Sequence, residues 1–162
     1  MIKNLLSADM KAMLDDAIHG ELYASHLYRH LSNQMRGLGW FGAQKFFDAE
    51  SESEVEHYRR HVDFQNDMGT VAKMPALKAM TDTVKDLVDA LQLAYETELE
   101  LFNSYAEKYQ KAAKEPVIQQ FLLQFLEIQR KSVGEYADLI ARCQLAAGDK
   151  CGLLLIDQEL GA

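Results

Sequence analysis

A chain of 162 residues with 48% apolar and 26% charged side chains is long enough to bury one sizeable core and has the balance of an ordinary globular domain. Its net charge of −8 argues against nucleic acid as the main partner, because phosphate binding needs a basic surface; it suits attraction of cations, or simply solubility. No apolar run approaches a membrane span, the opening Met1-Ile2-Lys3-Asn4 turns polar too soon for a secretory leader, and Cys143 and Cys151 form no Cys-x-x-Cys, so the expectation is a cytoplasmic protein with no membrane partner.

Ser7 is placed to cap a first helix with Asp9 in its first turn. The helical period then runs from about Met10 to Met35 and stops at Gly37-Leu38-Gly39. A second helical stretch runs from Trp40 to about Asp67 and ends near Gly69. A connector from Thr70 to about Met80 holds Pro75, and Thr81 or Thr83 is positioned to cap a third helix reaching about Lys114. Pro116 suits the first turn of a fourth helix, which continues to about Ala147. Gly148-Asp149 signals a turn, and Leu153 to Leu160 reads as a short fifth helix.

No stretch reads as a strand. The predicted fold is all-α: one domain over residues 1–162, built as a four-helix bundle with a short tail helix. Helices of roughly 26–32 residues are about 40–48 Å long. Loops of a few residues make hairpins of the first and second helices and of the third and fourth. The second-to-third connector, roughly 13 residues, reaches at most about 43–47 Å when extended. That length allows a crossover along the whole bundle without requiring one.

Carboxylates interrupt the predicted core stripes. On the third helix, Val84, Leu87, Leu91, Ala94, Glu98, Leu101 and Tyr105 follow alternating three- and four-residue steps, the buried face of a bundle helix. Glu98 is therefore a charge at a core position, which must be paired, metal-bound or protonated. Glu21 interrupts the first stripe in the same way, and Gln129 the fourth. On the second helix, Glu54 and His57 lie three apart and so on one face. With a constant rise per residue, Glu21 and Glu54 stand at nearly equal depth on either side of the first turn, as do Glu98 and Gln129 around the Glu115-Pro116 turn.

Three carboxylates, an imidazole and an amide thus converge. Without cations the carboxylates would repel one another, so a metal pair bridged by Glu54 or another carboxylate is the economical explanation. Oxygen ligands with one imidazole suit iron, manganese or zinc. Tyr28 follows Glu21 by seven residues on the same face, placed to hydrogen-bond a ligand, to act beside a redox site, or to pack. His19, His26, His30 and His61 lack acidic partners on other helices and are assigned to surface or packing roles. Glu50 and Glu52 read as surface acids, one at most facing an interior cavity.

Over essentially its full length the chain resembles the ferritin family, of the bacterial non-haem type. The resemblance rests on Glu21-Leu22-Tyr23-Ala24-Ser25-His26-Leu27-Tyr28, Glu54-Val55-Glu56-His57, Glu98 in Tyr95-Glu96-Thr97-Glu98, Gln129 in Glu127-Ile128-Gln129, and the closing Leu154-Leu155-Ile156-Asp157-Gln158-Glu159-Leu160-Gly161. It implies a ferritin-like bundle with a long crossover and a tail helix packing around four-fold axes of a hollow shell of 24 identical subunits. It also implies an iron-storage ferroxidase that takes Fe(II) and O2 or H2O2 and stores ferric mineral. Glu21, Glu54 and His57 would hold the first of two irons per subunit; Glu54, Glu98 and Gln129 would serve the second, with Tyr28 near the chemistry.

The departures from the family pattern are informative. The fourth helix reads Gln129-Arg130-Lys131-Ser132 in place of a second Glu-x-x-His, and Val55 stands where a haem-ligating Met would be, so no haem is expected. Ser53, Ile128, Lys131 and Ser132 occupy positions that often carry acids for a third iron site, which is therefore expected to be absent. Val117-Ile118-Gln119-Gln120 supplies no carboxylate to the usual acidic channel, leaving the route of iron into the protein open.

Overall fold

The computed structural model describes residues 2–162. Among them are five α-helices and no strand: α1 (Ala8–Leu38), α2 (Phe41–Asp67), α3 (Leu87–Lys111), α4 (Pro116–Ala146) and α5 (Lys150–Leu160). The local signals for α1 act as expected. Ser7 Oγ accepts from the Met10 amide, and Gly39 closes the helix at φ 88°, a left-handed conformation that only glycine adopts without strain. The helix runs through Gly37, past the predicted stop at Met35. Pro116 opens α4, where its missing N–H costs nothing. Asp149 caps α5 by accepting from the Gly152 amide at 2.7 Å, so the tail helix begins earlier than the predicted Leu153.

The start of α3 departs most from expectation. Neither Thr81 nor Thr83 caps it; Asp86 does, accepting from the Asp89 amide at 3.0 Å. Residues 82–84 are instead held outside the helix by α1. The Asp82 carbonyl lies 2.7 Å from His30 Nε2 and accepts from Gln34 Nε2 at 3.0 Å, and the Val84 amide donates to Gln34 Oε1 at 3.0 Å. Backbone groups committed to another helix are not available for a helix of their own. The third helix also ends at Lys111 rather than Lys114, at 25 residues just under the predicted length.

The connector therefore spans residues 68–86, longer than predicted. Its extended reach, about 60 Å, comfortably exceeds the roughly 40 Å of α2. Cross-helix contacts settle the direction of travel. Glu21 meets Tyr105 while Tyr28 meets Glu98, and Asp16 meets Lys108. Each step forward on α1 is a step back on α3, so the two are antiparallel. Ser25 with Ser51 and Ser32 with Asp48 show the same for α1 and α2. Helices α2 and α3 are then parallel, and the connector is the long crossover.

The core is divided. Ala24, Leu27, Leu31, Met35, Phe47, Leu91, Ala94 and Tyr136 belong to one buried apolar cluster, which α5 closes with Leu153 and Ile156. Leu14, Ala17, Tyr105, Ile118, Leu122 and Phe125 belong to another. Each fully buried leucine or phenylalanine contributes about 1.5–3 kcal/mol through burial. Between the clusters lies a layer of Glu21, Glu54, Glu98 and Gln129, all at most 3% exposed.

Candidate metal centre

Each residue of this layer is placed by the helix that carries it. Glu21 lies between Ala17 and Ala24 on the buried face of α1, and Glu98 between Ala94 and Leu101 on that of α3. Small neighbours and reciprocal hydrogen bonds bring α1 and α2 close. Ser25 Oγ reaches the Ser51 carbonyl at 3.0 Å and Ser51 Oγ the Ser25 carbonyl at 2.8 Å. This close approach puts Glu54 and His57 against Glu21.

His57 Nδ1 lies 3.0 Å from Glu54 Oε2 and 3.5 Å from Glu21 Oε2. One ligand atom from each of Glu21, Glu54 and His57 falls within 4.8 Å of the others, a grouping able to hold a metal ion. Glu98 is brought to the same layer but is otherwise engaged. Its Oε1 accepts from the Tyr28 hydroxyl and its Oε2 from Gln129 Nε2 at 2.6 Å. Two buried oxygens aimed into the layer, Glu21 Oε2 and Gln129 Oε1, have no hydrogen-bond partner. Orphaned acceptors in a dry core are costly unless something positive meets them, so the donor set fits cations.

The electrostatics agree. Burial works to raise the Glu21 carboxyl, but the neighbouring Glu54 carboxyl and His57 imidazole outweigh it and hold it down at about 2. Glu54 goes the other way: burial, then the negative charge of Glu21, push it well above the carboxylate range. Burial lifts Glu98 to about 7 despite the Tyr28 and Gln129 hydrogen bonds that favour its charge. Glu54 feels the charges of both Glu21 and Glu98.

Beyond Tyr28, two more tyrosines and a histidine surround these carboxylates in roles the sequence does not announce. Tyr105 donates to Glu21 Oε1, with His61 Nε2 2.7 Å behind its hydroxyl oxygen. His61 was expected to pack, and it does, within 4.3 Å of the Phe125 ring centroid, but it also joins this chain. Glu50, expected at the surface, is half-buried; Tyr136 donates to its Oε2 at 3.3 Å, and burial raises its pKa. The available signal was a spacing of seven: Tyr28, His61, Tyr105 and Tyr136 follow Glu21, Glu54, Glu98 and Gln129 by that interval.

The remaining histidines stand apart. His19 and His26 are exposed, and His30 is bound to the Asp82 carbonyl. Ser53 and Lys131 are exposed. A pocket of about 600 Å³ lies between the start of α1 and the end of α3, is lined by residues including Asp9, Asp16, Glu107 and Lys108, and includes none of the layer.

The comparisons with known proteins agree with this architecture. Residues 11–146 match the Ferritin family model, a ferritin-like domain. A ferritin from Pacifastacus leniusculus is 31% identical, with 91% of this chain and 84% of that one aligned. A probable bacterial non-heme ferritin-like protein from Haemophilus influenzae is 26% identical over 97% of this chain and 96% of its own. An open pore ferritin from the archaeon Archaeoglobus fulgidus superposes with a TM-score of 0.92 at 23% identity, covering 96% of this chain and 98% of that one, and so shares the fold. Five helices in this order, a carboxylate layer inside the bundle and a family match across most of its length show that the chain belongs to the ferritin family, whose role is iron storage.

Proposed function

We propose that this chain is a ferroxidase as well as a store, taking two Fe(II) ions into the bundle, oxidising them, and passing the ferric product to a mineral held inside a shell of 24 subunits. The observation that carries the reading is the convergence of Glu21, Glu54 and His57 within 4.8 Å in a layer with unpartnered buried acceptors. Glu21, Glu54 and His57 hold the first iron. Glu54 bridges, and Glu98 and Gln129 hold the second after Glu98 gives up its hydrogen bond from Gln129. Each Fe(II) yields one electron; O2 takes two electrons and two protons to become H2O2, and H2O2 as oxidant takes the same to become two waters. Hard carboxylate oxygens favour the ferric state. The neutral Gln129 in place of a fourth carboxylate loosens the second iron, as suits ions in transit. Tyr28, donating to Glu98, stands beside the second iron.

Self-assembly is the other half of the reading. Leu154 and Leu155 on α5 are 51% and 62% exposed while Leu153 and Ile156 bind the bundle, so the tail offers an apolar outer face to other copies. Cytoplasmic residence accords with two free cysteines. No helix of the described residues is long and apolar enough to cross a membrane. Adding Fe(II) in air to the apoprotein tests the chemistry: ferric absorbance must rise faster than in a protein-free control, and His57→Ala and Glu98→Ala must slow it. A monomer or dimer in gel filtration would sink the shell.

A further inference from the structure

The seven-residue spacing has a spatial meaning. Because α1 is antiparallel to α3, Tyr28 reaches across to Glu98 and Tyr105 reaches back to Glu21. The partners of the two tyrosines follow the same rule. Tyr136 of α4 stacks on Tyr28, ring centroids 6.3 Å apart and planes within 20°. His61 of α2 stacks on Tyr105 at 5.8 Å and 16°. The carboxylate layer is therefore enclosed by two stacked aromatic pairs, one on each side. Tyr28 and Tyr136 lie in the cluster closed by α5, and Tyr105 in the opposite one.

The second pair has a defined hydrogen-bond polarity. A phenol carries one proton, and that of Tyr105 goes to Glu21 Oε1. His61 Nε2, 2.7 Å from the same phenol oxygen, must then be the donor, because the oxygen has only lone pairs left to offer. His61 is accordingly the neutral Nε2–H tautomer, with Nδ1 bare, which matches Nδ1 being fully buried without a partner. Burial keeps the ring neutral, lowering it to about 4. Two donors in series, imidazole to phenol to carboxylate, thus point at one oxygen of Glu21. Its other oxygen, Oε2, remains free and faces His57 at 3.5 Å.

We infer that Tyr105, backed by His61, is a positioning residue for the first iron: it clamps Glu21 Oε1 so that Oε2 is presented to the metal beside Glu54 and His57. The inference rests on the two-iron reading given above. Tyr28 does the corresponding work on Glu98 through its Oε1, so the two tyrosines divide between the two ions. Partners that orient a ligand in this way commonly govern metal affinity by a factor of about 10–100.

The test uses Co(II), which binds without turning over, titrated into the intact assembled apoprotein and followed by calorimetry and by its ligand-field absorbance. Wild type is expected to bind two ions per chain at distinguishable affinities. Tyr105→Phe, which keeps the ring stack and removes the hydroxyl, is expected to weaken the tighter site roughly tenfold and leave the weaker one in place. Tyr28→Phe is expected to do the reverse. His61→Phe should resemble Tyr105→Phe in milder form, and His61→Gln, which restores an N–H donor, should recover part of the loss. Equal losses at both sites for Tyr105→Phe, or none in a variant with wild-type circular dichroism, would overturn the inference while leaving the two-iron reading standing. Wild type that binds no Co(II) in the bundle would overturn both. Solid-state ¹⁵N spectra of histidine-labelled wild type give a readout free of any folding defect: a buried Nδ1–H tautomer for His61 would refute the proposed polarity.

Discussion

Glu98→Gln should make the metal-free protein more stable at neutral and alkaline pH and leave it unchanged in mild acid. Glu98 is fully buried, and its carboxyl is raised from 4.5 to about 7 in the folded state. Between those values the folded chain holds a proton that the unfolded chain has released, so stability falls as pH rises through the window. At about 1.4 kcal/mol per unit the full shift costs at most about 3 kcal/mol above pH 7, and less where coupled carboxylates share it. The substitution removes this cost and adds no orphan, the unpartnered buried atom at Gln129 passing from Oε1 to Nε2. Tyr28 can still donate to the new carbonyl oxygen, and the new amide N–H can donate to Gln129 Oε1, unpartnered in the wild type, once the Gln129 amide turns over. In a chain of this size about 3 kcal/mol corresponds to roughly 6–12 °C in Tm. Thermal and urea unfolding of both apoproteins at pH 5 and pH 8, at one concentration and assembly state, measures it. The variant should gain only at pH 8, while binding the second metal more weakly. A variant no more stable at pH 8 than wild type would refute the claim that Glu98 is held at a cost for function.

Three further outcomes follow from the same geometry. Loading the apoprotein with Zn(II) at pH 7 should release protons, because burial raises the Glu54 carboxyl and lifts that of Glu98 to about 7; calorimetry in two buffers of different ionisation enthalpy counts them, and zero release would refute the charge assignment. Asp157→Ala should destabilise the chain by about 2–4 kcal/mol, since this buried carboxylate of α5 accepts from the Gly42 amide at 3.0 Å and the Ala43 amide at 2.7 Å, capping an α2 that lacks a side-chain cap of its own. Amide exchange at those two positions should accelerate in step. Gly42→Ala should loosen the tail helix from the bundle, because the added Cβ would lie 1.6 Å from the Asp157 carbonyl oxygen; gel filtration reports whether the assembly survives, and unchanged stability would show that the tail docks elsewhere.

Much of the centre was legible in the sequence, for a geometric reason. Helical rise is constant, so counting residues from a turn gives depth, and core periodicity gives the face. Those two coordinates put Glu21, Glu54, Glu98 and Gln129 in one layer, where the fold has them. They do not say which neighbour a side chain bonds. Tyr105 occupies a core position like any other, and its hydroxyl found Glu21 only because α1 and α3 run in opposite directions at a particular register. Glu50 read as a surface acid because nothing on α2 reveals that Tyr136 of α4 lies over it.

The sequence by itself determined the helices, their caps at Ser7 and Gly39, the Pro116 start and the face each helix buries, because these depend on neighbours within a few residues. Tertiary structure decided what depends on partners far along the chain. Gln34 drew residues 82–84 out of a helix they were expected to join. The connector became a full-length crossover because α1 packs antiparallel to both α2 and α3. Asp157 came to cap a helix more than a hundred residues upstream. Hydrogen bonds and charges act over a few ångströms, and only the folded chain says which residues lie that close.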